Sequence, residues 1–221
     1  MRKTLLGDLR DSELFHGIRR DEARRILASL DAQLKNYRKG QTILSAGSRV
    51  RRIALVMEGS VTLFQTDFWN RQIIIDRRRS GQIFAEAFAC DRHALSSFTV
   101  QADEATVILW FDIMDILKVD AADESRTALI RNIMNTLAMK NLALNEKLLH
   151  VSRRSTKEKL LSFLSDEARK AGSSEFDIPF SRQELADYIG VDRSAMSAEL
   201  SRLAREGYFE TNRSHFILKK M

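Results

Sequence analysis

The chain has 221 residues, a formal net charge of +6 and a hydrophobic content of 44%, which is typical of a globular protein and excludes a wholly disordered one. Its single cysteine, Cys90, excludes an internal disulfide framework and fits a reducing, cytoplasmic location. No apolar run is long enough to cross a membrane, and the basic N-terminus lacks the apolar core of a signal peptide. The positive charge favours a polyanionic partner only weakly, because residues 151–221 carry just +2 of the total.

The first half of the chain shows two different patterns. Residues 4–36 place apolar side chains between charges at helical spacing, which predicts helices. From Tyr37 to Phe111, short runs typical of strands alternate with glycine turns and predict a compact β-barrel or jelly roll. The segment FAEAFAC, which ends at Cys90, predicts a short helix set into this barrel. The predicted strands are Gln41–Leu44, Ile53–Met57, Val61–Gln65, Gln72–Ile75, Phe98–Ala102 and Thr106–Trp110.

A long helix follows the β-rich region. Its apolar residues step by four and three over nearly three heptads, as in the seam of a coiled coil. One polar residue, Asn141, interrupts the seam, and such residues fix the register of paired helices. The alternative is a helix packed on its own barrel. We predict a homodimer whose interface contains Ile130, Met134, Leu137, Asn141, Leu144 and Leu148.

The segment between this helix and residue 180 connects it to a C-terminal module. Ser152–Ser155 breaks the seam and is a candidate hinge. Lys157–Ala171 predicts an amphipathic helix, and Gly172–Asp177 predicts a loop.

Residues 180–209 predict two short helices on either side of a tight turn. Ser181 and Glu184 have the spacing of a capping box, and Gly190 supplies a left-handed stop for the first helix. Gly207 ends the second helix, and a short hairpin follows. This order is typical of a winged helix-turn-helix.

The second helix of this module has a polar, basic face. A helix of this width fits the major groove of DNA, and Arg193 in its first turn has the donor fork that suits guanine. Serine and arginine side chains around it can hold phosphates. The alternative is a winged helix that contacts protein. The predicted DNA contacts are Ser181, Arg182, Arg193, Ser194, Ser197, Ser201, Arg202 and Arg213.

The whole arrangement resembles the CRP/FNR family of bacterial transcription regulators. YRKGQTILSAGS (37–48) and ALVMEGSVTLF (54–64) resemble strands of the family's sensor domain, and SRQELADYIGVDRSAMSAELSRL (181–203) resembles its DNA-binding signature. The resemblance implies that Arg182 contacts phosphate and that Arg193 reads bases. Ala198 departs from the family's pattern, since many members have a second basic residue there.

The resemblance implies an α+β fold in three parts: a cyclic-nucleotide-binding-like sensor β-barrel with N-terminal helices (1–115), a dimerisation helix and hinge (116–151), and a winged helix-turn-helix (152–221). It also implies a homodimeric regulator in the cytoplasm that binds a palindromic operator on double-stranded DNA, with RNA polymerase as a further candidate partner and no membrane. The alternative function is a cyclic-nucleotide-responsive signalling protein whose winged helix contacts other proteins.

The identity of an effector stays open. Family members that bind cyclic AMP use a glycine–glutamate pair for the ribose and an arginine–serine pair for the phosphate. This chain keeps Gly81 and Glu86 but has Leu95 or Ser96 where the arginine is expected, which argues against cyclic AMP. Haem or another small effector is not excluded. The candidate effector contacts are Gly81, Glu86, Arg92, Ser96, Ser97, Asn141 and Asn145.

Other chemistry has little support in the sequence. One cysteine excludes an all-cysteine iron–sulfur cluster within a single chain. Cys90 and His93 form a C-x-x-H pair, but a buried thiol beside a surface histidine is the simpler interpretation. No set of three metal ligands and no nucleophile–base pair is apparent, so we expect neither a metal site nor an enzyme.

Overall fold

The computed structural model of the chain describes residues 9, 12–91, 93–117 and 124–219. It divides into two compact units, Met1–Ala138 and Met139–Met221. The division falls inside one long helix, which therefore contributes residues to both units. Among the described residues, no helix combines the length and the apolar character that crossing a membrane requires.

The first unit is built on two four-stranded antiparallel sheets. The strand orders are β1-β8-β3-β6 and β2-β7-β4-β5, which confirms the predicted β-rich N-terminal domain. Its elements are α1 (Arg20–Ser29), β1 (Gln33–Tyr37), β2 (Thr42–Leu44), β3 (Arg52–Glu58), β4 (Ser60–Thr66), β5 (Gln72–Arg79), β6 (Ile83–Phe84), α2 (Glu86–Cys90), β7 (Thr99–Ala102), β8 (Thr106–Asp112), α3 (Ile113–Leu117) and the first part of α4 (Glu124–Val151).

Strands β3 and β8 are buried on both faces, which explains their almost unbroken apolar sequences. Successive side chains of a strand point to opposite sides. Ile53 and Leu55 accordingly pack with helices α1 and α4, whereas Ala54 and Val56 face the second sheet. The first unit thus has two cores that share the same strands.

The prediction of helices over residues 4–36 is wrong at the C-terminal end of this region. Only α1 forms a helix among the described residues of this region, and Leu34 lies in strand β1. Leu34 pairs with Leu109 of β8, so a long-range strand partner decides the conformation of a segment whose local pattern favours a helix. Residues 4–8, 10 and 11 of the predicted helices lie outside the described residues.

Helix α4 exposes a large part of its apolar surface. Ile130 and Leu137 are partly buried against the core of the first unit, so two of the six predicted seam residues contact their own chain. Met134, Leu144 and Leu148 are exposed apolar side chains, and Asn141 is also exposed. A partner for this face stays a prediction.

The second unit contains the predicted winged helix-turn-helix. The segment Gly172–Asp177, predicted as a loop, ends in a strand, because Glu175–Asp177 pairs with the last strand of the wing. The sheet order is β10-β11-β9. Its elements after α4 are α5 (Thr156–Ala171), β9 (Glu175–Asp177), α6 (Arg182–Ile189), α7 (Arg193–Arg205), β10 (Phe209–Asn212) and β11 (His215–Leu218). One apolar core joins them, formed by residues that include Leu160, Phe163, Leu185, Met196, Leu200, Phe209 and Phe216.

Candidate DNA-binding face

A three-residue turn connects α6, which ends at Ile189, to α7, which begins at Arg193. The Ser181 hydroxyl accepts a hydrogen bond from the Glu184 N–H (3.3 Å), and the Glu184 carboxylate accepts one from the Ser181 N–H (2.8 Å). This is the predicted capping box. Gly190 ends α6 with φ of 64°, a left-handed conformation that glycine adopts without strain. The chain therefore turns sharply before α7 begins.

Asp192 caps the N-terminus of α7. Its carboxylate accepts hydrogen bonds from the N–H groups of Ser194 (2.8 Å) and Ala195 (3.0 Å), and also from the Ser194 hydroxyl. These bonds, first of all the one from the hydroxyl, lower the pKa of Asp192. A charged cap at this end also complements the helix dipole. The first turn of α7 is therefore held in place before any partner binds.

Arg193 is the first residue of α7, and its side chain is exposed. Among the described residues, no ion pair occupies its guanidinium group. Met196, Leu200 and Leu203 fix the helix in the core, and Arg193 is exposed because it stands at the free N-terminal end of the helix. The donor fork of Arg193 is therefore available at the end of the helix that would enter a groove.

The outermost stripe of α7 contains a basic residue that the sequence prediction missed. Ser194, Ala198, Ser201 and Arg205 are all exposed and follow one another by four, three and four residues. This helical spacing was a signal that could have identified Arg205. Its guanidinium group bonds only to the Ser201 carbonyl oxygen, at 3.4 Å, among the described residues.

Two of the predicted DNA contacts have strong partners within the chain. Arg202 donates to Glu199 (2.5 Å) and to Glu206 (2.8 Å), so its charge is already balanced on the helix surface. The Ser201 hydroxyl donates to the carbonyl oxygen of Ser197 (3.0 Å). A phosphate contact by either side chain would exchange one polar partner for another.

Arg182 is partly buried between α6 and the wing. Its Nη2 donates to the Thr211 hydroxyl (3.2 Å), and the guanidinium carbon lies 5.3 Å from the centre of the Phe216 ring. Its Nη1 is buried and has no hydrogen-bond partner among the described residues. Burial also lowers the pKa of this guanidinium group. Arg182 therefore supports the wing as well as lying beside the predicted DNA surface.

An open groove of about 620 Å³ lies between the start of α6 and the turn of the wing. Arg213, at the tip of the wing, has φ of 53° and an exposed side chain. The groove therefore has basic side chains from both α6 and the wing. It is lined by Ile178, Pro179, Phe180, Ser181, Arg182, Arg213 and Ser214.

The candidate effector residues fall into two groups. In the first unit, Glu86 is buried at the start of α2, and Ser96 is buried with its hydroxyl donating to the Phe98 carbonyl oxygen (2.6 Å). Gly81 bonds through its N–H to the Val56 carbonyl oxygen (2.8 Å), and Ser97 is exposed. Arg92 lies outside the described residues.

Asn141 and Asn145 form the other group, in the second unit, where the Asn145 amide donates to the Asn141 side-chain oxygen (2.9 Å). Cys90 is exposed rather than buried, and His93 is also exposed. The expected burial of the Cys90 thiol is therefore wrong, because α2 turns this side chain outward.

Comparisons with protein families match the two units separately. Residues 34–123 match the cyclic nucleotide-binding domain, and residues 158–221 match the Crp-like helix-turn-helix domain. Together the two matches cover more than half of the chain. A β-rich sensor domain, a long helix and a winged helix-turn-helix in this order define a class of two-domain transcription regulators.

Curated relatives are of the same class. The chain is 27% identical to the transcriptional activator protein FnrL of Cereibacter sphaeroides over 197 residues, which are 82% of this chain and 75% of FnrL. It is 26% identical to the nitrogen fixation regulation protein FixK of Bradyrhizobium diazoefficiens over 178 residues, 78% of this chain and 72% of FixK. The chain belongs to the CRP/FNR family of DNA-binding transcription regulators.

Solved structures support the fold. The catabolite activator protein of Thermus thermophilus aligns over 94% of both chains with a TM-score of 0.51 and 24% identity. The protein CprK in complex with OCPA aligns over 89% of this chain and 88% of CprK, with a TM-score of 0.64 and 15% identity.

Proposed function

We propose that this regulator binds a palindromic operator as a homodimer and reads each half-site with helix α7. The observation that carries the proposal is the exposed guanidinium group of Arg193 at the N-terminal end of a helix that Met196, Leu200 and Leu203 fix in the core. Arg205 and Arg213 add positive charge on the same module and suit the DNA backbone. Two such helices in a dimer would lie in successive major grooves, about one helical turn apart.

The homodimer is supported by the apolar surface of α4. Met134, Leu144 and Leu148 each expose 60% or more of their surface in the single chain. Exposed apolar side chains in a row on one helix are typical of an interface with another helix. Asn141 lies on the same surface and would favour one register of the pair.

Control by an effector and contact with RNA polymerase are further parts of the proposal. The match to the cyclic nucleotide-binding domain and the buried Glu86 support a small molecule bound near α2. FnrL is named a transcriptional activator, which supports activation by this chain too. A protein that regulates chromosomal genes in this way would act in the bacterial cytoplasm. Transcription in vitro from a promoter with the operator, with and without the protein, would test activation.

The first test is selection of bound duplexes from a randomised DNA pool by the purified full-length protein. We expect enrichment of a palindrome with half-sites about one helical turn apart. If the pool yields no enriched sequence, the selection is repeated with cyclic AMP and then with a small-molecule cell extract. Absence of enrichment in all three, from a folded protein, would contradict DNA reading by α7.

The variant Arg193→Ala tests directly whether this residue reads bases in the selected operator. We expect it to relax discrimination at one base pair of each half-site by about 1–3 kcal/mol, because a bidentate base contact is lost. Arg19→Ala is the matched control, since Arg19 is an exposed arginine in the first unit that pairs with Asp21. Unchanged discrimination in Arg193→Ala would show that another residue reads the bases.

A further inference from the structure

A buried histidine marks the place where α4 meets α5 inside the second unit. His150, in the last turn of α4, is 1% exposed. Its ring contacts those of Phe163 and Tyr188, with centroid distances of 5.8 and 6.0 Å. The ring therefore cannot turn freely, and both of its nitrogen atoms have fixed surroundings.

The two ring nitrogens of His150 differ in their hydrogen-bond partners. Nδ1 lies 3.1 Å from the Ser162 hydroxyl, within hydrogen-bonding distance. Nε2 is buried and has no hydrogen-bond partner among the described residues. It points to Asp166, whose Oδ2 lies 3.6 Å away. A buried polar atom without a hydrogen-bond partner costs free energy, and a bound ion is one explanation for such an atom in a folded protein.

We propose that His150, Glu146 and Asp166 bind a divalent transition-metal ion. One ligand atom from each residue lies within 4.8 Å of the other two. Two ligands of a tetrahedral zinc ion, at bond lengths of about 2.0–2.1 Å, are about 3.3 Å apart. The 3.6 Å between Nε2 and Asp166 Oδ2 is close to this separation. Water would complete the coordination of the ion.

The surroundings of the histidine suit a metal ligand. Metals bind the neutral imidazole through a ring nitrogen that carries no proton. With the proton on Nδ1, the ring would donate to Ser162 and leave the Nε2 lone pair directed at the carboxylates. Ligating histidines usually make such a bond with their other nitrogen. An imidazole with two carboxylates suits Zn²⁺, Fe²⁺ or Mn²⁺ rather than Ca²⁺.

Lys170 and Arg169 form ion pairs with the two carboxylates of the proposed site. Lys170 lies 2.9 Å from Glu146 and 2.8 Å from Glu167, and Arg169 lies 2.5 Å from Asp166. Both side chains are more than half exposed, so they can turn toward water. A metal ion would therefore compete with Lys170 for Glu146. Its binding would cross-link the last turn of α4 to α5 and stabilise the folded unit.

The sequence carried only part of this signal. Glu146 and His150 are four residues apart and share a helix face, but Asp166 comes from the next helix. The expectation that the chain has no set of three metal ligands does not hold, because folding brings the third residue to the other two.

The test measures binding of Zn²⁺ and Co²⁺ to the full-length protein after removal of metals by a chelator. Isothermal titration calorimetry should give one ion per chain, and Co²⁺ should show visible absorption bands of a site with low coordination number. The midpoint of thermal unfolding should rise with the concentration of Zn²⁺. His93→Gln, a change at an exposed histidine of the first unit, should leave all three results unchanged.

The variants separate this site from adventitious binding. Asp166→Asn keeps the shape of the side chain, and His150→Gln keeps a polar group; each should abolish the Co²⁺ bands. Ser162→Ala should weaken binding about tenfold, because it removes the support of the ring. Lys170→Met should strengthen binding about tenfold, because a competing positive charge is lost.

Absence of metal binding by the wild-type protein would overturn the proposal, as would equal binding by Asp166→Asn and His150→Gln. The DNA selection described above does not depend on this result, so either proposal can fail alone.

Discussion

Arg182 shows how one side chain can serve both the fold and the DNA surface. Its hydrogen bond to Thr211 and its position over the Phe216 ring join α6 to the wing. A phosphate contact needs only the positive charge, whereas the planar guanidinium group contacts Thr211 and the Phe216 ring at the same time, which the compact ammonium group of a lysine does less well. Lysine and alanine in place of this arginine therefore have different consequences.

For Arg182→Lys we expect a loss of about 1 kcal/mol in the free energy of unfolding, because a single ammonium group cannot keep the hydrogen bond to Thr211 and the cation–π contact with Phe216 at full strength together. The dependence of DNA affinity on salt should stay close to that of the wild type. For Arg182→Ala we expect a similar loss of stability, weaker binding to all sequences and a salt slope lower by about 1. Urea unfolding and DNA titrations at several salt concentrations measure both. A lysine variant as stable as the wild type would contradict the role in supporting the wing.

At the scale of a helix, α7 depends on Asp192 at its N-terminus. The folded protein lowers the pKa of this carboxylate, chiefly through the Ser194 hydroxyl and the N–H of Ala195. A carboxylate with a lowered pKa stabilises the fold at a pH above its unfolded value of about 3.9. That contribution is lost as the pH falls through the lower, folded value.

Asp192→Asn keeps a capping oxygen but cannot be protonated in this range. We therefore expect the wild type to be more stable than the variant at pH 6 and the difference to shrink steadily from about pH 5 to pH 3. Thermal unfolding across this range measures the difference. Asp187→Asn, an exposed aspartate on α6, is the control that should show no such trend. A constant difference at all pH values would mean that the charge of Asp192 does not stabilise α7.

Elements with a clear local pattern were predicted from the sequence, including six strands of the first unit, whereas two strands without such a pattern were not. Helix α6 follows from the box of Ser181 and Glu184 and from the stop at Gly190. Strands β1 and β9 were missed, because their conformation comes from pairing with β8 and β11. The same distinction applies to sites. Arg193 is read from its place in a motif, whereas the group of Glu146, His150 and Asp166 exists only after α4 and α5 have packed.

For the molecule as a whole, the central question is what covers the apolar surface of α4. Ile130 and Leu137 use part of it within their own chain, so the predicted seam is narrower than the sequence suggested. Met134, Leu144 and Leu148 have no such cover among the described residues. A two-fold dimer would bury them against the same residues of a second chain, since a two-fold interface brings identical surfaces together.

Helix α4 offers a matched pair of methionines for testing this interface. Met134 is 64% exposed and lies on the predicted seam, whereas Met139 is 65% exposed and lies five residues further on. At 3.6 residues per turn, five residues place Met139 about 140° around the helix from Met134. The two side chains thus have the same chemistry and exposure but belong to different faces.

We expect Met134→Glu to dissociate the dimer, because it places two like charges against each other in an apolar interface. Met139→Glu should leave the dimer intact. Sedimentation equilibrium over a range of protein concentrations measures the association, and circular dichroism checks that both variants are folded. Binding to a full operator should fall steeply in Met134→Glu and approach the affinity for a single half-site, since one chain then contacts only one half-site. A dimer that dissociates on Met139→Glu and survives Met134→Glu would move the interface to the other face of α4.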